Sequence, residues 1–290
     1  MIEDKDAPRV YLIGDHYIAQ LKGAMIQLSP NIEIIDICNT VQAFSTLQAG
    51  YVLRTAYPFF PKGTIHFIGI NSEPSATNKI FLVKHEGHYF VGADNGIYSL
   101  IFEDNEPESV YELVPELMYR FIPKLNPAHF FDSTLEFGNP KQFSGFSAIK
   151  IITTVIHHIM SNMDISLLGK PAKINREKKT LKATYTANSI SGSVIFIDHF
   201  GNLITNITRE LFDEVGKQHP FNITIRSSLK FSIDKISTDY NVIGGEKQYY
   251  LALFNSFGVL EIAQKNDSLA QLESIDTLSG VEIEFFNRLF

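Results

Sequence analysis

Residues 196–207 read FIDHFGNLITNI, and this stretch decides how the second half of the chain is interpreted. The apolar run VIFI at 194–197 predicts a strand. Polar side chains then crowd positions 198–206, with an aromatic ring and a glycine between them. A strand that ends in so many hydrogen-bonding groups forms either an ordinary turn or a place where polar groups converge on a ligand.

Further strand patterns fill the rest of the chain after this stretch. Turn signals such as Gly244-Gly245 separate them, which predicts a small β-barrel or sandwich. A polar and basic connector near 170–187 precedes them. We therefore predict an N-terminal domain over 1–175 and a C-terminal all-β barrel domain over 188–290. The strand patterns are GSVIFID, FNITIRS, KFSID, YYLALF, GVLEIA and GVEIEFF.

Strand and helix patterns alternate in the first half. A hairpin is predicted around Glu86-Gly87 within 80–93. Strands that alternate with helices indicate an α/β domain with a mainly parallel sheet. The strand patterns are VYLIG (10–14), IEIIDI (32–37) and TIHFIGI (64–70), and the helical patterns cover 15–28, 44–57 and 146–163.

The composition is that of a globular protein. Hydrophobic residues make up 44% of the 290 residues and the net charge is -7, which argues against a nucleic-acid-binding surface with clustered Lys and Arg. No apolar run is long enough to span a bilayer, and the N-terminal MIEDKDAPR lacks an apolar signal region. We expect a cytoplasmic protein without a membrane partner. The single cysteine, Cys38, is expected to be a buried, inert thiol.

Most chemical motifs are missing from the sequence. There is no HExxH, no cysteine pair and no carboxylate cluster with ligand spacing, so we expect no metal site. A GxSxG elbow and Gly-rich phosphate loops are missing as well. The polar loop NSEPSATNK (71–79) follows a predicted strand, where α/β domains usually bind their ligands. This loop is a candidate site, although a surface loop has the same composition.

The chain resembles the S-adenosylmethionine (SAM) hydroxide adenosyltransferase family, which includes the fluorinases and chlorinases. The most specific match lies in the opening stretch, in Asp198, in Phe200-Gly201-Asn202 and in Thr205-Asn206-Ile207. Further matches in the same order span nearly the whole chain. They are DHYIAQLKG (15–23), SPNIEIIDI (29–37), FFPKGTIHFIG (59–69), ADNGIYSL (93–100) and NSFGVLEIA (255–263).

The resemblance implies a fold, an assembly and a chemistry. It implies an N-terminal α/β domain, a C-terminal β-barrel and a homotrimer with inter-subunit sites. It implies SAM or adenosine as ligand, no additional cofactor, and in-line attack at the ribose C5′ carbon with methionine as leaving group. The nucleophile is water or hydroxide in the hydrolases and a halide in the halogenases. Because a sulfonium is already a good leaving group, the protein has to position the nucleophile and strip its water.

The resemblance also assigns ligand contacts by position. Asn202 corresponds to the residue that binds the adenine edge, and Phe200 and Tyr240 correspond to rings near its faces. Asp198 corresponds to a contact with the methionine amino group. Ser256 corresponds to a contact with the methionine carboxylate.

Four further positions correspond to the family's ribose pocket or to a structural turn close to its site. Phe44 matches an aromatic residue that walls the ribose pocket. Asp94 and Asn95, followed by Gly96, match the family's structural turn close to the site. Asp15 either replaces the family Asp that holds the ribose hydroxyls or matches a later family Asp, which leaves the ribose Asp missing.

The family's reactive groups are replaced in this chain. Hydroxide-forming members use an Asp in a VDPGVG loop, an Arg seven residues later and a His in an FHGRD segment. Asn71, Asn78 and Ser147 stand at these positions, and Lys79 follows Asn78. The replacements are neutral, so no clear base remains unless Lys79 or Asp15 reaches the attacking water.

Three functions are compatible with this pattern. The first is cleavage of SAM by water to adenosine and methionine. The second, a catalytically impaired homologue that binds SAM or adenosine, is suggested by the retained C-terminal motif beside the neutralised reactive set. The third, a SAM-dependent halogenase, ranks lowest because Asn71 stands where a halogenase offers a hydroxyl donor.

Overall fold

The computed structural model describes residues 9–13, 17–72, 75, 77–121, 148–176, 181–225, 228–240 and 250–286. Asp15 and Ser147 therefore lie outside the described residues. The chain divides into two compact units, Met1–Lys179 and Thr180–Phe290.

The N-terminal unit is built on a sheet of seven strands among its described residues. The strands are β1 (Arg9–Ile13), β2 (Glu33–Asp36), β3 (Ile65–Ile68), β4 (Ile80–His85), β5 (His88–Ala93), β6 (Ser109–Leu113) and β7 (Gly169–Pro171). Their spatial order is β2-β1-β3-β5-β4-β6-β7. The predicted hairpin is confirmed as β4 and β5.

One half of this sheet is parallel and the other half is antiparallel. β1 pairs in parallel with β2 and with β3, and β3 pairs in parallel with β5. β4 pairs antiparallel with β5 and β6, and β6 pairs antiparallel with β7. The α/β class is confirmed. The sheet is evenly divided rather than mainly parallel, because the short β4–β5 hairpin reverses the chain where a crossover would have kept it parallel.

Helices cover both faces of the sheet. They are α1 (Tyr17–Leu28), α2 (Thr46–Ala56), α3 (Ile97–Phe102), α4 (Pro115–Met118) and α5 (Ala148–Met160), with 3₁₀ turns at Tyr57–Phe59, Tyr119–Phe121 and Ile165–Leu168. α1 and α5 share one apolar core with Ile65 and Phe67 of β3. α2 and α3 share another with Ile68. The alternation along β3 follows from the two-residue side-chain period of a strand.

The helix predicted at 146–163 is confirmed as α5, although its sequence is rich in β-branched residues. Ile152, Val155 and Ile156 are fully buried in the core that α5 shares with α1. Burial of one such side chain contributes roughly 1.5–3 kcal/mol, which exceeds the few tenths that β-branching costs in a helix.

The remaining sequence expectation in this unit, a buried Cys38, is wrong. Cys38 is only partly buried, and its thiol lies 3.4 Å from the Thr40 hydroxyl. The strand that precedes it, β2, is the edge strand of the sheet and has mostly exposed side chains. A residue that follows an edge strand lacks a neighbouring strand to cover it.

The C-terminal unit is an antiparallel sheet curled into a nearly closed barrel. Its strands are β8 (Thr184–Tyr185), β9 (Ser189–Ile197), β10 (Leu203–Thr208), β11 (Phe221–Ile225), β12 (Ser228–Ile233), β13 (Tyr250–Phe254), β14 (Val259–Gln264) and β15 (Gly280–Phe285). The order is β12-β11-β15-β9-β10-β14-β13, with β8 beside β9. Two helices, α6 (Arg209–Gly216) and α7 (Leu269–Leu272), lie among the described residues. The predicted β-barrel is confirmed.

A short contact narrows the gap between the two end strands of this sheet. Ile236 forms an isolated bridge with Ala252 of β13, and the Ser237 amide donates to the Ala252 carbonyl at 2.7 Å. Inward-facing Val194, Leu203 and Leu260 form one buried core. None of the helices in the described part of either unit is long and apolar enough to cross a bilayer.

Three histidines are buried in the N-terminal unit around Tyr57. His66, His85 and His88 are almost fully buried, and the ring nitrogens of His66 and His88 lie 3.2 Å apart. The His66 ring stacks on Phe90 with centroids 4.8 Å apart. Burial lowers the pKa of His66 to about 3, and the neighbouring His88 adds to the shift. Burial also lowers the pKa values of His85 and His88, although the charge of Glu86 opposes this.

We predict that the histidine cluster makes this unit acid-sensitive. A folded-state pKa below the unfolded value means that the unfolded chain binds more protons, so stability is full above the unfolded pKa near 6.5 and is lost as the pH falls towards 3. His66 alone contributes a slope of up to about 1.4 kcal/mol per pH unit in that window.

Urea unfolding followed by circular dichroism between pH 7.5 and 4.5 measures this slope. His66→Phe retains the stacked ring and is expected to flatten the pH dependence. His157→Phe, at a partly exposed histidine of α5, serves as the control. Equal pH dependence in wild type and His66→Phe would show that His66 is not the group that takes up the proton.

Candidate functional site

The carboxyl ends of β3 and β5 lie at one edge of the N-terminal sheet. Ile68, which ends β3, is in register with Ile13 of β1 and with Gly92 of β5. β4 begins at the same edge, with Ile80 opposite Ala93. The loop between β3 and β4 and the turn after β5 are therefore neighbours. Between them they carry the predicted residues Asn71, Asn78, Lys79, Asp94 and Asn95.

Hydrogen bonds tie these two segments together. The Asp94 amide donates to the Lys79 carbonyl at 2.8 Å, and the Asn95 side-chain amide donates to the Ile70 carbonyl at 3.1 Å. Within the loop, the Asn78 side-chain amide donates to the Asn71 carbonyl at 2.7 Å. Asn71 itself adopts a left-handed conformation with φ 49°. The structure thus brings five predicted residues together, and the side-chain amides of Asn78 and Asn95 help to hold the loop.

The Asp94 carboxylate anchors a third segment at this edge. Its Oδ2 accepts a hydrogen bond from the Asn175 amide at 2.7 Å. Burial raises the pKa of Asp94, and the backbone amides of Asn175 and Gly96 partly offset the shift. Asp94 Oδ1 and Asn95 Oδ1 are buried without a hydrogen-bond partner among the described residues. This is a structural turn with a polar interior, as the resemblance implies.

Lys79 is paired with an acidic side chain of β6. Its Nζ lies 3.2 Å from Glu112 Oε1, and both side chains are partly exposed. The pair lies in a cavity of about 440 Å³ that also contains Asn78 and Lys170.

A second cavity, of about 640 Å³, lies on the C-terminal unit. It gathers four residues that the sequence singles out, together with the segment after β14. Its lining consists of Asp198, Phe200, Asn202, Tyr240, Leu251, Gln264, Lys265, Asn266, Asp267 and Ser268.

The Asp198 carboxylate organises the wall of this cavity. Its Oδ1 accepts hydrogen bonds from the Phe200 amide at 2.9 Å and the Asn202 amide at 2.8 Å. Its Oδ2 accepts a bond from the Asn202 side-chain amide at 2.9 Å. The Asp198 side chain is therefore engaged within its own turn. The Asn202 side chain, of which only 8% is exposed, is fixed in orientation.

Two aromatic rings stand beside this turn. Phe200 is 74% exposed, and Tyr240 is 45% exposed. The Tyr240 hydroxyl donates to Glu261 Oε1, so its ring is held at the cavity rather than free to rotate away. Exposed aromatic faces beside oriented polar groups are typical of a site that stacks on a planar ligand.

The other two predicted residues lie elsewhere. Ser256 is exposed in the turn between β13 and β14 and is not in the lining of the cavity. Asn255 organises that turn, because its Oδ1 accepts bonds from the Phe257 and Val259 amides at 3.0 and 3.4 Å. Phe44 is 79% exposed with φ 64°, in the turn that precedes α2 in the N-terminal unit.

Sequence reasoning missed Glu261 and the Gln264–Ser268 lining except for Lys265, which stands where the resemblance places an Asn at the floor of the adenine site. A signal for Glu261 was present, because a lone carboxylate inside the apolar strand pattern VLEIA has to find a buried partner. No such signal marks the other residues of the segment after β14, whose polar composition is that of any turn. Among the described residues, no three or more His, Cys, Asp or Glu side chains are grouped so as to hold a metal ion.

Two family models match this chain over more than half of its length. The SAM hydroxide adenosyltransferase N-terminal domain matches residues 11–132, and the corresponding C-terminal domain matches residues 192–282. The chain belongs to the SAM hydroxide adenosyltransferase family.

Several relatives in this family align along most of the chain. A (R)-S-adenosyl-L-methionine hydrolase from Methanocaldococcus jannaschii is 28% identical over 93% of this chain and 91% of its own. A fluorinase from Nocardia brasiliensis is 24% identical over 94% of this chain and 93% of its own. An uncharacterized conserved protein from Thermotoga maritima has a similar fold, with TM-score 0.76 and 21% identity over 95% of this chain and 99% of that one.

The two candidate regions differ in how completely the matched ranges cover their residues. Every residue that lines the C-terminal cavity falls inside the range of the family's C-terminal domain. Asn71, Asn78 and Lys79 fall inside the N-terminal range, whereas Ser147 lies outside both ranges. The family models therefore cover every residue of this cavity lining and leave Ser147 uncovered.

We predict that Gly201 is required by the turn that forms the cavity wall. Its φ is 81°, and a Cβ atom there would lie 2.0 Å from Ser268 Oγ. Gly201→Ala is expected to lower the free energy of unfolding by roughly 1–2 kcal/mol for the backbone and by about 1–3 kcal/mol more for the overlap. Ligand affinity falls with it, since Ser268 also lines the cavity.

Gly258 offers a matched control in the same unit. Its φ is 70°, and a Cβ atom there would meet nothing within 4 Å. Gly258→Ala therefore reports the backbone cost alone. Chemical unfolding of both variants measures the difference, and an equal loss of stability in the two would contradict the predicted contact with Ser268.

Proposed function

We propose that this protein binds SAM in the cavity of the C-terminal unit and cleaves it with water to adenosine and methionine. The observation that carries the proposal is one cavity that gathers Asp198, Phe200, Asn202 and Tyr240. The relative from Methanocaldococcus jannaschii is named as a hydrolase of SAM. Because the family also contains fluorinases, the choice of water as nucleophile is part of the proposal.

The Asn202 side chain supports recognition of an adenine edge. A carboxamide offers two N–H donors and one carbonyl acceptor. One N–H is directed at Asp198 Oδ2, so the other N–H and the oxygen remain for a ligand. A donor beside an acceptor complements the exocyclic amine and the adjacent ring nitrogen of adenine. The bond to Asp198 fixes which way the amide points.

The exposed rings support the same ligand. Phe200 leaves most of its surface to water, and the backbone that carries it is fixed by Asp198 Oδ1. Stacking a purine on such a ring removes apolar area from both partners, and each base stacked on an aromatic side chain contributes about 1–3 kcal/mol. Tyr240 offers a second face in the same cavity.

The proposed reaction makes limited demands on the protein. The water oxygen forms a bond to C5′ while the carbon–sulfur bond breaks. The electron pair of the carbon–sulfur bond leaves with the methionine sulfur. The positive charge of the sulfonium disappears and one proton is released from the attacking water. Asp94 is hydrogen-bonded to Asn175, and Glu112 is paired with Lys79. Because Asp94 Oδ2 and the Glu112 carboxylate are engaged in these contacts, we expect a turnover well below the enzyme median of about 10 s⁻¹.

A second candidate function is binding of SAM or adenosine without cleavage. The observation that favours it is the state of the reactive positions. The Asn78 amide is committed to the Asn71 carbonyl, and the Lys79 ammonium is paired with Glu112. A protein that retains the adenine-binding turn and has lost the reactive set would respond to SAM without consuming it.

Prolonged incubation of SAM with a high concentration of enzyme separates these functions. Cleavage is expected to release adenosine and methionine in equal amounts, measured by chromatography, at a rate that is the same in chloride-containing and halide-free buffer. A thermal shift with SAM but no adenosine supports the binding function instead. A product that requires halide would support the halogenase alternative and contradict both.

The Asn202→Leu variant tests whether product comes from this site. It removes the donor–acceptor pair at similar volume, and its expected effect is a loss of affinity of about 10- to 100-fold, or 1–3 kcal/mol. Glu284→Gln, on an exposed position of β15, is the control. Adenosine release at the wild-type rate from Asn202→Leu at subsaturating SAM would place the activity elsewhere.

We further propose that the protein is a homotrimer, as the family resemblance implies. The exposed Phe44 and Phe200 are consistent with surfaces that are covered in an assembly or by ligand. Sedimentation equilibrium is expected to give three times the chain mass of 32.7 kDa. A monomer at all concentrations would remove the proposal of inter-subunit sites and leave the C-terminal cavity to bind alone.

A further inference from the structure

Glu261 is a buried carboxylate beside the C-terminal cavity. It lies on β14 between Leu260 and Ile262, which face the barrel core, so Glu261 faces the opposite side of the strand. Only 5% of it is exposed. It is in register with Leu253 of β13, and Leu253 joins Leu251 and Ala263 in a small apolar cluster.

A carboxylate in such surroundings requires hydrogen bonds, since an unpaired buried charge costs several kcal/mol. Glu261 obtains them from two neutral donors in different segments. The Tyr240 hydroxyl donates to Oε1, and the Asn255 side-chain amide donates to Oε2 at 3.4 Å. The two donors lie on opposite sides of β13 in sequence, and Glu261 joins them.

The two donors belong to the two parts of the proposed ligand site. Tyr240 lines the cavity and offers its ring to the purine. Asn255 holds the turn that contains Ser256, because its Oδ1 binds the amides of Phe257 and Val259. One side chain therefore sets the position of the aromatic wall and of the turn assigned to the methionine carboxylate.

We propose that Glu261 is a positioning residue that couples the aromatic wall to the Ser256 turn, so that both halves of the ligand site depend on it. The proposal rests on the proposed function for the identity of the ligand. Glu261 does not line the cavity, and it acts only through Tyr240 and Asn255. A carboxylate suits this role because both of its oxygens accept, whereas an amide offers one acceptor and one donor.

Dissociation constants for adenosine and SAM, measured by calorimetry at a temperature where SAM is not turned over, test the coupling. Tyr240→Phe keeps the ring and is expected to weaken both ligands equally, by about 3- to 10-fold. Ser256→Ala is expected to reduce only the extra affinity of SAM over adenosine. Glu261→Leu is expected to weaken both ligands and also to reduce the extra affinity of SAM over adenosine. In the Glu261→Leu background, Tyr240→Phe is expected to cause no further loss of affinity.

A readout without ligand keeps this test independent of the proposed function. Amide hydrogen exchange at Phe257 and Val259 is expected to accelerate at least about 5-fold in Glu261→Leu, since Asn255 loses its partner. Glu261→Gln is expected to restore most of the protection, because its amide still accepts from Asn255 and donates to the Tyr240 oxygen. Glu284→Leu, at an exposed position of β15, is the control and is expected to show wild-type exchange and affinity.

The outcomes separate the two proposals. Failure of wild type to bind either ligand overturns the proposed function, while altered exchange in Glu261→Leu still supports the coupling. Wild-type exchange and affinity in Glu261→Leu overturn the coupling, as do additive losses with Tyr240→Phe. If Glu261→Leu does not fold, Tyr240→Phe is used in its place: faster exchange at the Ser256 turn in this variant supports the coupling through the remaining carboxylate, and wild-type exchange there overturns it.

Discussion

A carboxylate that accepts hydrogen bonds from its own turn is the interaction on which the candidate site depends. Asp198 binds two backbone amides and one side-chain amide of the residues that follow it. Bonds to an ionised acceptor contribute more than neutral ones, roughly 1.5–3 kcal/mol each. The turn therefore holds its shape without help from the ligand. The exposed ring and the oriented amide are positioned before anything binds, which lowers the entropy that binding has to overcome.

The same device recurs at the other polar positions of both units. At one edge of the N-terminal sheet, the Asn95 side chain binds the Ile70 carbonyl and the Asp94 side chain binds the Asn175 amide, which belong to two separate segments. Glu261 binds Tyr240 and Asn255 from two segments of the C-terminal unit. In each case a side chain that has lost its water gains protein partners, and the loop that supplies those partners becomes fixed. The burial that removes water from these side chains therefore also orders the loops that supply their hydrogen-bond partners.

The sequence predicts the elements better than it predicts their pairing. The period of apolar residues identified the strand TIHFIGI, helix α5 and the barrel strands, because these periods are local. Whether the sheet is parallel depends on which strands meet, and the β4–β5 hairpin placed an antiparallel half beside a parallel one. The cavity could be anticipated at Asp198, Phe200 and Asn202, which lie in one motif. Apart from Lys265, the Gln264–Ser268 part of the lining could not, since this segment reaches the cavity only through the fold of the barrel.

The hydrogen bonds that Asp198 accepts and the bond between Asn78 and Asn71 are each local to their own segment. The turn at Asp198 draws its hydrogen bonds from Phe200 and Asn202, within the same motif. The described residues of the loop of Asn71 and Asn78 supply none of these hydrogen bonds, so the geometry of the Asp198 turn does not depend on them. The bond from the Asn78 side-chain amide to the Asn71 carbonyl likewise needs no charged group, because its donor is neutral and its acceptor is main chain. Each segment therefore holds its own shape, and a substitution in one leaves the hydrogen bonds of the other in place.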